Sequence, residues 1–536
     1  MTTECFSVTH LPGLSRLYLD YCASEPAVER WYGSPVRDRR WQAARLPHDA
    51  AHRAALAEIL SAQNPGAEHN TVLAELRAGA NAVVTGQQVG LFGGPLFTIH
   101  KAATAIAQAR LTTAAGYPHL PIFWLASEDH DFAEINHVTF PNRRELVRLN
   151  YANAPETAIP VGRALLDETI TPLLDRAYDL LGYSDAMDWL SAAYKPGKTL
   201  AEAFAEFYRN VFAAEGLLVL DAAGRDVHQL GAPVLLAAID RADELHAALI
   251  ARNKEIAAAG YAVQVAVADK GSLLFLIDEK TGARVALRRT AASAAEPQGL
   301  WHAGRHAYST ADLAAILAAE PERISPSALL RPVFQDAILP TTAYIGGAAE
   351  AAYFAQSAVL YERILGRLTP ILPRLSATLV EPAIADLLHH HEISFETVLS
   401  STEDSLAQHL GARAIPIAGK QRLASAGNAL DSELASLTDY MSALDEGLGR
   451  SAQVAASKMR YQMNRLRRLT ANFELEKEAS LRRHAQAIVN ALHPEGGLQE
   501  RLIGAAFPLA RHGESLIRRL IHEAGDGCPG HKVIPL

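Results

Sequence analysis

"AVVTGQQVGLFGGPLFTIHKAATAIAQAR" (Ala82 to Arg110) decides how the chain is read. It opens on a short β-branched run and breaks into glycines at Gly86, Gly90, Gly93 and Gly94. It then repeats apolar residues at spacings of three and four. That pattern is strand, loop, helix. Related patterns recur downstream. "PIFWLA" (Pro121 to Ala126) is an apolar run that ends in Ser127-Glu128-Asp129-His130-Asp131. "GLLVLDAAG" (Gly216 to Gly224) ends in Asp221, and "TTAYIGGAAEAAYFAQ" (Thr341 to Gln356) breaks at Gly346-Gly347 before a helical stretch. Apolar strands alternating with helices predict an α/β fold whose mostly parallel sheet is covered on both faces. Ligands of such sheets bind beyond the carboxyl ends of the strands, where these glycines and acids fall.

Residues before about Ala80 read as mostly helical. The stretch from Tyr261 to Arg289 alternates and turns at Lys280-Thr281-Gly282, which predicts an antiparallel hairpin inserted into the core. After about Pro373 the strand signal fades. Leu430, Leu434, Leu437, Met441, Leu444 and Leu448 form a heptad-like seam, which resumes at Ala452, Ala455, Met459, Met463, Leu466 and Phe473. The expected form is an antiparallel helical hairpin turning at Asp445-Glu446-Gly447, with a second copy of the chain paired along the seam as a homodimer. The basic run "SKMRYQMNRLRRL" reads as a solvated helix face. The expected organisation is a core over 1–375 with the inserted hairpin within about 225–325, a coiled coil over 376–495, and a tail over 496–536 that returns to the core.

Bulk properties narrow the function classes. The chain has 536 residues, half of them hydrophobic, and a net charge of -9. That charge argues against nucleic acid as the main partner. No apolar run is long enough to span a membrane. The three cysteines, Cys5, Cys22 and Cys528, suggest neither a disulfide framework nor a zinc knuckle, so a cytoplasmic setting is expected.

The chemistry gathers in three places. The glycine loop, with Gln87 and Gln88 inside it, can bring backbone close to a ligand and offer the following helix's N-terminus to an anion. It lacks the Walker string and the dinucleotide spacing. His100 and Lys101 follow, as candidates for acid–base work and charge neutralisation. The second place holds Glu128, Asp129, Asp131 and Glu134 with His130, Asn136 and His137 among them. Clustered carboxylates repel, so a cation should relieve them: a substrate ammonium, a metal, or a basic side chain from elsewhere. His130, Glu134 and His137 would share one face of a helix and could hold zinc. In the third, Arg331, Gln335 and Asp336 precede a strand ending at Gly346-Gly347, with Glu350 in the next helix. Arg331 is a candidate anion clamp or partner for the acids. "HHH" (His389 to His391) cannot share one helical face and reads as surface.

Together, "VTGQQVGLFGGPLFTIHKAATAI", "FWLASEDHDFAEINHV", "RPVFQDAILPTTAYIGGAAEAAYFAQ", the coiled hairpin and the tail "LQERLIGAAFPLARHG…HKVIPL" resemble the BshC family, the cysteine-adding enzymes of bacillithiol synthesis. The resemblance is collinear over nearly the whole chain. It implies a Rossmann-like core with inserted connecting segments, similar to class I aminoacyl-tRNA synthetases, and a dimerising coiled coil. It also implies a ligase that joins L-cysteine by an amide bond to the amine of glucosaminyl-malate. "IHKA" (Ile99 to Ala102) would stand where such synthetases carry a phosphate-stabilising "HIGH" element, although Lys101-Ala102 replace Ile-Gly and no "KMSKS" loop follows. No cofactor is expected to be tightly bound, and ATP or another nucleotide is the candidate activating agent. On this reading His100, Lys101, Asp129 and Asp131 are catalytic. Gly86, Gln87, Gln88, Gly90, Gly93, Gly94, Glu128, His130, Asn136, Arg331, Gln335, Gly346, Gly347 and Glu350 bind substrate or nucleotide. Two rivals are a metal-dependent hydrolase using His130, Glu134 and His137, and a non-catalytic coiled-coil scaffold.

Overall fold

The computed structural model describes residues 2–66, 69–142, 145–268, 271–290 and 299–536. At its centre lies a five-stranded sheet. In spatial order its strands are Ile371–Pro373, Thr341–Gly346, Asn81–Gln87, His119–Leu125 and Leu218–Asp221, all parallel. Numbered along the chain that order is 5-4-1-2-3, the doubly wound arrangement. Its topological switch point lies between Asn81–Gln87 and Thr341–Gly346. The apolar runs are buried on both sides. His119–Leu125 is wholly enclosed, as is Thr341–Gly346. Helix Phe97–Ala114 packs against the sheet with Ile99, Ala102, Ala103 and Ile106 buried.

Between the third and fourth core strands the chain builds a second, antiparallel five-stranded sheet. The anticipated hairpin is its centre: Gly271–Ile277 pairs with Arg284–Arg289 around Asp278–Ala283. Ile324–Pro326 adds on one side, and Trp301–Ala303 and His306–Tyr308 on the other. The insertion is larger than the expected hairpin; its outer strands are three residues each, too short for alternation to reveal them in the sequence.

The N-terminal segment is helical where expected, including Ala50–Gln63 capped by the Asp49 side chain. It also supplies strand Glu4–Phe6 to a sheet with His531–Pro535 and Ser376–Val380, so both chain ends meet. A Cys5–Cys528 disulfide joins them there. The cysteine spacing suggests no disulfide framework, and this bridge corrects that reading. Cys5 lies on Glu4–Phe6 and Cys528 just ahead of His531–Pro535, 523 residues apart in sequence, a closeness that only strand pairing between the two chain ends creates. Cys22 alone is free, and buried.

Helices Ile417–Leu444 and Glu446–Lys477 form the long hairpin, with Asp445 capping the second at the expected turn. Only part of the seam is covered. Leu434, Ala452 and Met463 are buried, and so is Ala456 rather than Ala455. Leu437, Leu444, Leu448, Met459, Leu466 and Phe473 stay exposed. Among the basic residues Arg460 pairs with Asp431 across the hairpin. His389 and His390 are exposed as expected, whereas His391 is half-buried and hydrogen-bonds His484 at 2.9 Å. Among the described residues no helix is long and apolar enough to cross a membrane.

Candidate active site

A cavity of about 650 Å³ opens at the carboxyl ends of the core strands, beside the switch point. Gly86 and Gln87 border it from one strand, Gly347 and Glu350 from beyond the next, and Phe275 and Arg284 from the inserted sheet.

One cluster on its wall is built around Lys101. Its ammonium donates to the Gly86 carbonyl at 2.7 Å and to Gln87 Oε1 at 2.9 Å, and it pairs with Glu350 Oε2 at 2.5 Å. An ammonium has three donors, and all three are spent. Burial pulls Lys101 below its ordinary range, against the attraction of Glu350. Burial alone would raise Glu350, but Lys101, the Gly347 N–H at 2.8 Å and the Tyr344 hydroxyl at 2.7 Å together hold it below the usual carboxylate range. The Lys101–Glu350 ion-pair contact measures 2.5 Å. It clamps the end of one switch-point strand to the helix that follows the other. Arg331 stands beside it, donating to Tyr353 Oη at 2.7 Å and Gln335 Oε1 at 3.1 Å. Arg374 and Arg501 add two more cations to the lining.

The second cluster is acidic. Glu128 Oε1 meets His228 Nε2 at 2.8 Å. Asp129 accepts the His130 backbone N–H at 2.7 Å and the Gln88 amide at 2.6 Å, and that amide also reaches Glu134 at 3.1 Å. The cation that relieves these acids is Arg284, 3.9 Å from Asp129 and 3.2 Å from His130 Nδ1. Its guanidinium lies 3.8 Å from the Phe275 ring centroid and donates to Ser325 Oγ and the Pro326 carbonyl. Arg331, the expected partner, belongs to the other cluster.

Several candidates lie elsewhere. His100 faces away from the cavity and is fully buried, with Nδ1 3.1 Å from Glu500 Oε2. Burial lowers its pKa despite the carboxylate. Of the loop glycines only Gly86 borders the cavity. Phe92, Gly93 and Gly94 have φ of 49°, 83° and 67°, a left-handed turn, and a Cβ on Gly93 would lie 2.4 Å from Phe207. The loop's polar atoms go to tyrosines: Tyr194 bridges the Gly90 carbonyl and the Gly93 N–H, and Tyr208 donates to the Gly93 carbonyl. These glycines serve packing, not the anion contact expected of them. Asp131 is exposed and caps the short helix Phe132–Ile135. Asn136 bonds the Tyr151 carbonyl, Gln335 is enclosed between Arg331 and Asp336, and Gly346 packs on Ile371. The shared face expected of His130, Glu134 and His137 does not form, because the helix ends at Ile135 and His137 starts a strand. Among the described residues no group of three or more His, Cys, Asp or Glu is placed to hold a metal.

Three arginines of the cavity wall are not among the sequence-derived candidates: Arg284, Arg374 and Arg501. Arg284 sits at an inward position of the inserted sheet, where an arginine among apolar neighbours was a usable signal. Arg374 directly follows the last core strand, the position at which ligand contacts are expected.

The comparisons with known proteins match this frame. Residues 1–375 match the model described as "Bacillithiol biosynthesis BshC, N-terminal Rossmann-like domain", and 377–536 the corresponding C-terminal coiled-coil domain. The chain belongs to the BshC family. Family members named "Putative cysteine ligase BshC" align along its whole length. The protein of Koribacter versatilis is 40% identical over 541 aligned residues, covering 100% of both chains. That of Solibacter usitatus is 34% identical, again over 100% of both. The Salinibacter ruber relative is 30% identical over 97% of this chain and 96% of its own. The BshC frame thus accounts for both halves of the fold, the doubly wound core and the coiled hairpin.

Proposed function

We propose that the chain is a cytoplasmic ligase that joins L-cysteine by an amide bond to the amine of glucosaminyl-malate, the last step of bacillithiol biosynthesis. The observation that carries this reading is the pairing, in one cavity at the switch point, of a cation cluster with an acid cluster. Arg331 and Arg501 suit the two carboxylates of a malate group, since a guanidinium matches a carboxylate with two parallel donors; the fork of Arg374 is already given to Glu500. Glu128, Asp129 and Glu134 suit an ammonium and sugar hydroxyls.

Amide formation needs an activated carboxyl carbon and an attacking amine stripped of its proton. Asp129 is the candidate acceptor for that proton: it is partly exposed and retains accepting capacity after its two hydrogen bonds. Lys101 acts through the field of its pair with Glu350 and by fixing Gly86 and Gln87, because its own donors are occupied. Activation by ATP or another nucleotide belongs to this proposal as the agent that supplies the leaving group. From the glycine loop, Gly86, Gln87 and Gln88 border the cavity and are the part of it within reach of such an agent, whereas His100 is not among the lining residues.

The exposed apolar residues of the hairpin support a homodimer through the coiled coil. The test of function is direct. Incubation with L-cysteine and glucosaminyl-malate, with and without ATP, is expected to yield the amide by mass, with AMP or ADP as coproduct. No amide under either condition overturns the reading.

A further inference from the structure

A second cavity, of about 140 Å³, lies on the far side of Arg374 from the active site. It is small for a nucleotide. Its lining combines two features. The first is a disulfide sulfur: Cys528 faces the cavity, while Cys5 is not part of the lining and is exposed to solvent. The second is positive charge from Arg37 and Arg39, both exposed. Arg39 shares one hydrogen bond with Gln108. Glu523, the single acid on the lining, is already neutralised by Lys532 and Arg519.

We infer that this cavity is a thiol–disulfide exchange site for a small thiol that carries carboxylates. Arginine forks hold the carboxylates, which seats the thiolate sulfur beside Cys528. The thiolate attacks Cys528 Sγ. A new sulfur–sulfur bond forms to Cys528, the Cys5–Cys528 bond breaks, and Cys5 leaves as a thiolate into water. One disulfide replaces another, so no outside oxidant or reductant is consumed. The Gly530 N–H, 3.3 Å from Cys528 Sγ, holds that sulfur in place. Exchange would also untie strand Glu4–Phe6, which pairs with His531–Pro535 through only three residue positions. This inference does not rest on the ligase reading, and its test uses no ligase substrate.

The experiment incubates the air-oxidised full chain with mercaptosuccinate or with neutral 2-mercaptoethanol at equal thiolate concentration. N-ethylmaleimide then traps released Cys5, and peptide mapping locates the adduct. Mercaptosuccinate is expected on Cys528, forming at least about tenfold faster than the neutral thiol's adduct. The Arg37→Ser/Arg39→Ser variant should bring the two rates close together while keeping the bridge. Near-equal rates in the unaltered chain overturn the proposal. So does an unchanged ratio in the variant, an adduct confined to Cys5, or unpaired Cys5 and Cys528 in the oxidised chain.

Discussion

Arg374 and Glu500 form a two-pronged ion pair, at 2.6 and 3.0 Å, across 126 residues of chain. Both are buried. Glu500 also accepts the Ala377 N–H at 2.9 Å and meets His100. Its carboxyl is held far below the usual range: burial would raise it, but Arg374 and His100 outweigh burial. The pair fastens the C-terminal segment beneath a cation that borders the active-site cavity.

Removing one partner of such a pair strands a buried charge. Glu500→Gln should therefore cost about 3 kcal/mol of stability. Urea denaturation at neutral pH measures it, and a loss under about 1 kcal/mol contradicts the assignment. His100→Ala should act through the same network, lowering stability more than turnover.

His531 is buried and donates or accepts only with Ser376 and Thr378, and burial lowers its pKa to about 4. In the unfolded chain it titrates near its ordinary value of about 6.5. Below that pH the unfolded state takes up the proton first, so the stability His531 contributes is present at neutral pH and is lost as pH falls. From pH 8 to pH 5 the loss is roughly 2 kcal/mol. His531→Gln should flatten the stability–pH curve over that window; an unchanged slope would show that His531 titrates normally.

Asp129→Asn keeps the shape of the acid cluster but removes the proton acceptor. Amide formation should drop at least about tenfold, which is about 1.4 kcal/mol of transition-state stabilisation, with little change in melting temperature. Unaltered kcat/KM for both substrates would remove Asp129 from the site.

Arg284→Lys tests whether the fork geometry matters or only the charge. A lysine ammonium is a compact point charge and lacks the planar spread by which the Arg284 fork reaches Ser325, the Pro326 carbonyl and His130 beside Asp129. A fall in kcat/KM of about tenfold is expected, with steady-state kinetics as the readout. Full activity would reduce Arg284 to a simple counter-charge.

The exposed apolar stripe predicts self-association. Sedimentation of the full chain at micromolar concentration should give a dimer, and Leu437→Asp/Leu466→Asp should give a monomer without loss of helicity. A monomeric unaltered chain would refute the homodimer.

Local pattern alone reveals the main core strands, the inserted hairpin and the coiled hairpin, but not strands Glu4–Phe6, Ser376–Val380 and His531–Pro535, whose pairing joins distant parts of the chain. Strand–loop–helix periodicity is local, so Ala82–Arg110 announces its own fold, as does the turn at Asp445. The rule that parallel sheets bind ligands at their strand ends then pointed to Gly86, Gln87, Asp129, Gly347 and Glu350, which the cavity does gather. Tertiary structure decided the partners. His100 meets a carboxylate 400 residues away, and Arg284 meets a histidine 154 residues away. Cys5 reaches Cys528 because strands from the two chain ends share a sheet. Periodicity tells which face of an element is buried. Which charge waits on the other side depends on the path of the whole chain, so periodicity cannot show that Lys101 pairs with Glu350 or that Gly90, Gly93 and Gly94 lie away from the cavity that Gly86 borders.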